Sequence, residues 1–266
     1  MAMAEWEDDV IALGVRRFGE NDAILDVFGR TRGRAAGLVY GGAGKRKRGL
    51  IEPGNTLHVA WRGRLEEQLG HFSVAEPQME RASRLFSDPL ALAGLAAAVS
   101  ILKEAAPEAE PKPGLYEAAE VLLDNLADPD IWPALFIRWE IGLLGALGYG
   151  LDLDRCALTG ANDGLTHVSP RTGRAVRGSE AEDYLHKLLP LPAFLTSSGA
   201  PPGPDDLTNG FALTGYFMGR RLFGDLNKPL PEARYLMLER LERAGRLSLG
   251  SKNDTAEDAK TEDAKT

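Results

Sequence analysis

The chain has 266 residues, 31 Lys and Arg against 39 Asp and Glu, a net charge of −8 and a single cysteine, Cys156. That length holds two domains or one large one, and one cysteine excludes an internal disulfide and suits a reducing cytoplasm. The apolar run over residues 90–102 has 13 positions, short of the roughly 20 a membrane helix needs, and the acidic start over residues 1–9 lacks the order of a signal peptide.

The charge is unevenly placed. Residues 10–65 carry 11 Lys and Arg against 4 Asp and Glu, a balance of +7; the remainder carries 20 against 35, or −15. Such asymmetry orients an encounter with a polyanion, basic part first. Its centre is the stretch 40–55, where Gly41, Gly42 and Gly44 precede Lys45, Arg46, Lys47 and Arg48. The glycines predict a tight-turning mobile loop rather than a helix. Four adjacent cations repel one another, and phosphates that release counterions are their natural counterpart. Gly44 and Lys45 resemble the end of a nucleotide-binding loop, but Val39 stands where its first Gly belongs and Arg46 where its Ser or Thr belongs.

Over residues 10–75 the apolar runs are short: 10–15, 23–28, 35–40, 56–61 and 65–74, separated by glycine-containing turns. Five such runs predict a five-stranded Greek-key barrel of the OB type within residues 1–78. Cations gather at its connections: Arg16 and Arg17; Arg30, Arg32 and Arg34; Lys45 to Arg48; Arg62 and Arg64. Loops on one face of such a barrel form a groove that follows a sugar-phosphate backbone. Among the aromatics Phe18, Phe28, Tyr40, Trp61 and Phe72, core packing is the default. Tyr40 and Trp61 adjoin basic loops and are the candidates for base stacking.

After Pro77 the period turns helical, giving an α+β chain with a helical domain over 79–249. Helices are predicted within 85–102 (opened by Asp88 and Pro89), over 115–126 and over 131–147, then at 179–189, 206–223 and 231–244. Residues 151–177 interrupt them as a small knuckle, with a hairpin over 166–176. The last 17 residues repeat Glu-Asp-Ala-Lys-Thr and read as a disordered polar tail over 250–266. Catalytic readings fail: His58, His71, His167 and His186 fall in separate elements, Asp152 and Asp154 lack the Glu of a calcium loop, and Ser197 and Ser198 lack an elbow motif.

The chain resembles the bacterial recombination mediator family RecO over nearly all but the tail. The resemblance is carried by Glu5 and Trp6, Tyr40 to Gly42, Glu52 to Gly54, Arg138-Trp139-Glu140, the stretch 147–153, Cys156 and Ala157, Val168 to Pro170 and Gly173 to Ala175. It implies an OB barrel, a helical domain with an inserted knuckle, and a non-enzymatic, nucleoid-associated role in the RecFOR repair pathway. Implied partners are single- and double-stranded DNA, RecR, the acidic tail of single-strand-binding protein and, indirectly, RecA. Arg138 is the implied contact for that tail. Some members hold zinc through two Cys-x-x-Cys pairs in the knuckle; here Cys156 meets Thr159 and residues 173–177 contain no cysteine. No metal and no other cofactor is expected. An RNA-binding OB module and a protein-only adaptor are the alternatives.

Overall fold

The computed structural model describes residues 4–64, 69–196 and 201–248. The tail over 250–266 and the first part of the fifth apolar run, 65–68, lie outside the described residues. Five strands close into a barrel of OB type in the order β1-β2-β3-β5-β4: β1 (Ala4–Phe18), β2 (Asp22–Gly29), β3 (Gly33–Val39), β4 (Thr56–Gly63) and β5 (Gly70–Met79). β1 is long because it serves two neighbours. Residues Ala4 to Ile11 pair with β4, while Val10 to Phe18 pair with β2 across a bulge between Ala12 and Gly14. A bulge turns the strand, as closure requires. β3 and β5 complete the ring in parallel. Val10, Ala12, Leu25, Val27, Leu57, Val59 and Phe72 fill the interior.

The helical domain begins with a single turn, α2 (Arg81–Arg84), followed by α3 (Pro89–Ala105), α4 (Pro113–Asp124) and α5 (Trp132–Ala146). The Asp88 carboxylate caps α3, accepting from the amides of Leu90 and Ala91 at 2.9 and 3.0 Å, and Pro89 supplies the favoured first helical residue. α6 (Pro204–Phe217) runs through a wide π turn, Met218–Leu222, into α7 (Phe223–Asp225); α8 (Glu232–Arg243) follows. The knuckle differs from the expected hairpin. β6 (Leu165–Val168) pairs with both β7 (Ala175–Arg177) and β8 (Leu189–Pro190), so it is a three-stranded sheet. The helix expected at 179–189 is replaced by two 3-10 turns, Gly178–Glu180 and Glu182–Lys187. With β8 joining the sheet, the intervening chain is too short and too polar to bury a helical face.

The barrel has its own interior cluster, and three of its residues join the apolar core of the helices. Ile11, Leu13 and Phe28 belong to the same cluster as Leu95, Leu102 and Tyr116. A polar clamp fixes the same boundary: Arg81, 4% exposed, donates to Gly54 O (3.2 Å) and Thr56 Oγ1 (2.6 Å) in the barrel. It also donates to Glu120 (3.0 Å) and Asp124 (2.8 Å) on α4. Gly54 has φ +90°, and a Cβ there would sit 2.5 Å from Leu95 Cδ1. Gly54→Ala therefore lowers stability by roughly 2–4 kcal/mol through strain and overpacking. Urea unfolding followed by circular dichroism measures it.

Candidate nucleic-acid interface

The stretch expected to be a mobile loop is instead a short helix, α1 (Lys45–Leu50), with none of its residues buried. Six residues do not hold a helix in isolation, so its ends must be fastened, and they are. Before it, Gly41 N donates to the Asp22 carboxylate at 2.7 Å and Ala43 N to Asn21 O at 3.0 Å. Gly42 packs so closely that a Cβ would meet Ala23 Cβ and Val39 O at 2.9 Å. After it, Ile51 is buried in the barrel core, and Asn55 Nδ2 caps the last carbonyls, Gly49 O and Leu50 O, at 3.1 and 3.0 Å. The glycines serve the approach to the helix, and the cations ride on its exposed surface.

This places six of the candidate residues together at one rim of the barrel. Lys47 Nζ donates to Tyr40 O at 2.7 Å and Arg17 to Glu20 O at 2.9 Å. Among the described residues no acceptor lies within hydrogen-bond or ion-pair distance of the side chains of Lys45, Arg46 or Arg48. Tyr40 is 57% exposed and Phe18, at the end of β1, 50%. Arg17, Arg48 and Gly42 to Gly44 line a cleft of about 580 Å³ beside them. Cations without local partners, next to exposed aromatic faces, suit a strand whose phosphates and bases are both accessible.

The remaining basic residues do not converge on this rim. The turn carrying Arg30 and Arg32 joins β2 to β3 at the far end of β2, on the order of 20 Å away for an eight-residue strand. It is fixed by Asp8, whose carboxylate accepts from the amides of Thr31 and Arg32 at 2.9 and 3.0 Å. The guanidinium of Arg30 lies 5.3 Å from the Tyr116 ring centre. Arg34 donates to Ala106 O (3.0 Å) and pairs with Glu108 (2.6 Å). Arg30 and Arg34 thus fasten the barrel to the helical domain. The expectation of one face with all basic loops is corrected: antiparallel strands send alternate turns to opposite ends. Arg16 reaches Asp26 at 3.5 Å, Arg62 reaches Glu5 at 3.4 Å, and Arg64 is exposed just beyond β4.

Trp61 also departs from expectation. It is 2% exposed because Leu57, Val59 and Trp61 share the inward parity of β4. Its ring stacks on Trp6 at 5.6 Å and 6°, which leaves it unavailable to a base. Trp6, noted in the sequence only as a family feature, is the partly exposed member of the pair. Following the alternation of β1 back past Val10 would have shown it on the inward face of the barrel.

In the helical domain, Arg138 is exposed on α5. Its guanidinium lies 5.8 Å from the Phe194 ring centre and donates to Phe194 O. Glu140, two residues on, is fully buried and pairs with Arg234 on α8 through two bonds of 2.6 and 3.0 Å. Thr214 of α6 donates to the same carboxylate. The Arg-Trp-Glu stretch is thus divided between an outward arginine and an inward structural clamp.

The knuckle residues do not supply the four-cysteine ligand set through which some family members hold zinc. Cys156 is buried and accepts from Arg177 N at 3.4 Å. Burial raises its thiol, but hydrogen bonds from Thr159 and from backbone amides outweigh this and bring the pKa to about 7. Among the described residues no three His, Cys, Asp or Glu side chains are grouped to hold an ion. Backbone bonds between Asp152, Gly173 and Ala175 hold the sheet, with ion pairs from Arg174 to Asp152 and from Arg177 to Asp163.

A closed OB-type barrel with a cationic, aromatic rim, fastened to a helical domain that carries a knuckle, defines the class of architecture. Residues 3–79 match the family model described as recombination protein O N terminal, and residues 86–229 the one described as recombination protein O C terminal. The chain belongs to the recombination protein O family. It is 56% identical over 237 residues to DNA repair protein RecO of Hyphomonas neptunium, covering 89% of this chain and 98% of that one. It is 47% identical over 243 residues to DNA repair protein RecO of Phenylobacterium zucineum, covering 91% and 100%. Among the described residues no helix is long and apolar enough to cross a membrane.

Proposed function

We propose that the chain is a DNA repair protein that mediates recombination by binding DNA at the barrel rim. The repair role rests on family membership. The finer reading rests on one observation, the exposed cations of α1 beside Phe18 and Tyr40. A rim of cations holds phosphates of any sequence, and it screens the repulsion between two strands brought together. On this reading the protein binds single- and double-stranded DNA, anneals complementary strands and works with RecR to load RecA on strands coated by single-strand-binding protein. The experiment is annealing of complementary oligonucleotides, with and without that protein. No acceleration over spontaneous annealing would refute the mediator role, and tighter binding of RNA than DNA in competition would favour the RNA-binding alternative.

Arg138 is proposed to receive an acidic group of the single-strand-binding protein tail, exchanging its bond to Phe194 O for a charge-assisted one. Arg138→Ala is expected to weaken binding of a tail peptide by roughly 10-fold, in line with a hydrogen bond to a charged group; unchanged affinity by fluorescence anisotropy removes this contact. The knuckle is proposed to work without zinc. Metal analysis of the purified protein is expected to find well under one zinc per chain, since a structural site wants four Cys or His ligands.

A further inference from the structure

Behind the rim lies a second groove, about 700 Å³, between the barrel and the chain that links α3 to α4; its wall includes Trp6, Arg16, Asp26, Arg32, Ala36 and Glu108. We propose that this groove is a subsite for an unstacked base of single-stranded DNA, with Trp6 as its platform, an inference that rests on the nucleic-acid reading above.

Three observations carry it. Trp6 is held flat: Trp61 covers one face in a near-parallel stack, and Phe72 abuts it edge-on at 5.8 Å and 75°. A pre-set indole plane loses little freedom when a base stacks on it. Next, the wall mixes signs. The Arg32 guanidinium lies 5.7 Å from the Trp6 ring centre, while Asp26 and Glu108 bring carboxylates. Each carboxylate is already paired within or beside the groove, Asp26 with Arg16 at 3.5 Å and Glu108 with Arg34 at 2.6 Å; a wall so neutralised suits the uncharged edge of a base better than a phosphate. Finally, the groove and the rim cleft are both lined from the same strand, β1. Arg16 and Arg17 are neighbours on β1, and strand alternation sends their side chains opposite ways. Arg17 lines the rim cleft and Arg16 the groove. On this proposal a strand gripped by its phosphates at α1 and Arg17 runs on past Arg16, and a base several nucleotides beyond the rim turns in toward Trp6.

The test exploits burial. Trp61, Trp132 and Trp139 are all buried, leaving Trp6 the one partly exposed tryptophan among the described residues. Oligothymidine titrated into the full chain is expected to quench tryptophan emission with the same midpoint as the anisotropy of a fluorescein-labelled oligothymidine. In Trp6→Phe, which keeps an aromatic ring over Trp61, the quench disappears while binding persists within a few-fold. Trp6→Ala weakens binding by roughly 5- to 100-fold. Inorganic polyphosphate, which carries charge but no base, binds without quenching. Emission that stays constant while the anisotropy saturates overturns the proposal, as does equal quenching by polyphosphate. Absence of any anisotropy change would instead strike at the nucleic-acid reading itself.

Discussion

Replacing Lys45, Arg46, Lys47 and Arg48 together with alanine is expected to weaken single-stranded DNA binding about a hundredfold or more near 0.1 M salt, equally for all base sequences. The intact rim, neutralising about five phosphates, gives a slope of about −3 to −4 in log affinity against log salt, and removing four cations flattens it by about 3. The equality across sequences follows from geometry. These side chains project from a helix with none of its residues buried, so they meet charge rather than base edges. Anisotropy titrations at three salt concentrations with different homopolymers measure both quantities. The barrel itself should be undisturbed, because Ile51 and Asn55, which hold the helix, are retained. Alanine also favours helix. A variant that keeps the wild-type slope would remove the rim from the mechanism.

The second large effect is one of stability. Glu140→Ala leaves the Arg234 guanidinium buried between α5, α6 and α8 with its carboxylate gone, and only Phe211 O and Thr214 Oγ1 to accept from it. Breaking one partner of a buried pair costs about 3–5 kcal/mol, and Tm is expected to fall by on the order of 10 °C for a chain of this size. The double variant Glu140→Met with Arg234→Leu is expected to recover most of that loss, since packed apolar groups in place of a buried pair are often neutral. Thermal unfolding by circular dichroism compares the three proteins. If the single variant were as stable as the parent, the clamp would be contributing nothing.

The barrel was legible because its strands are short, apolar and broken by glycine. The helices α3, α4 and α5 were legible because their apolar residues recur at helical spacing, and Asp88 with Pro89 marked a start. What local pattern did not show was long-range. That α1 is helical depends on Asn55 and Ile51, which come later in the chain and act on it through the barrel. The division of the arginines between two ends depends on strand order, which alternation along each strand does not encode. Trp61 and Arg34 looked available because their neighbours in sequence are basic and polar. Their neighbours in space are Trp6 for one and the carbonyl of Ala106 for the other. The third knuckle strand was hidden in just two residues, Leu189 and Pro190.

Ile51 links the charged helix to the interior, and that connection bears on how strands exchange. With its hydrophobic foot planted inside the barrel, α1 meets each incoming strand already in shape. Little ordering is required on arrival and little is released on departure. Turnover on such a handle is governed by the competition between salt ions and phosphates, which suits the annealing role proposed above.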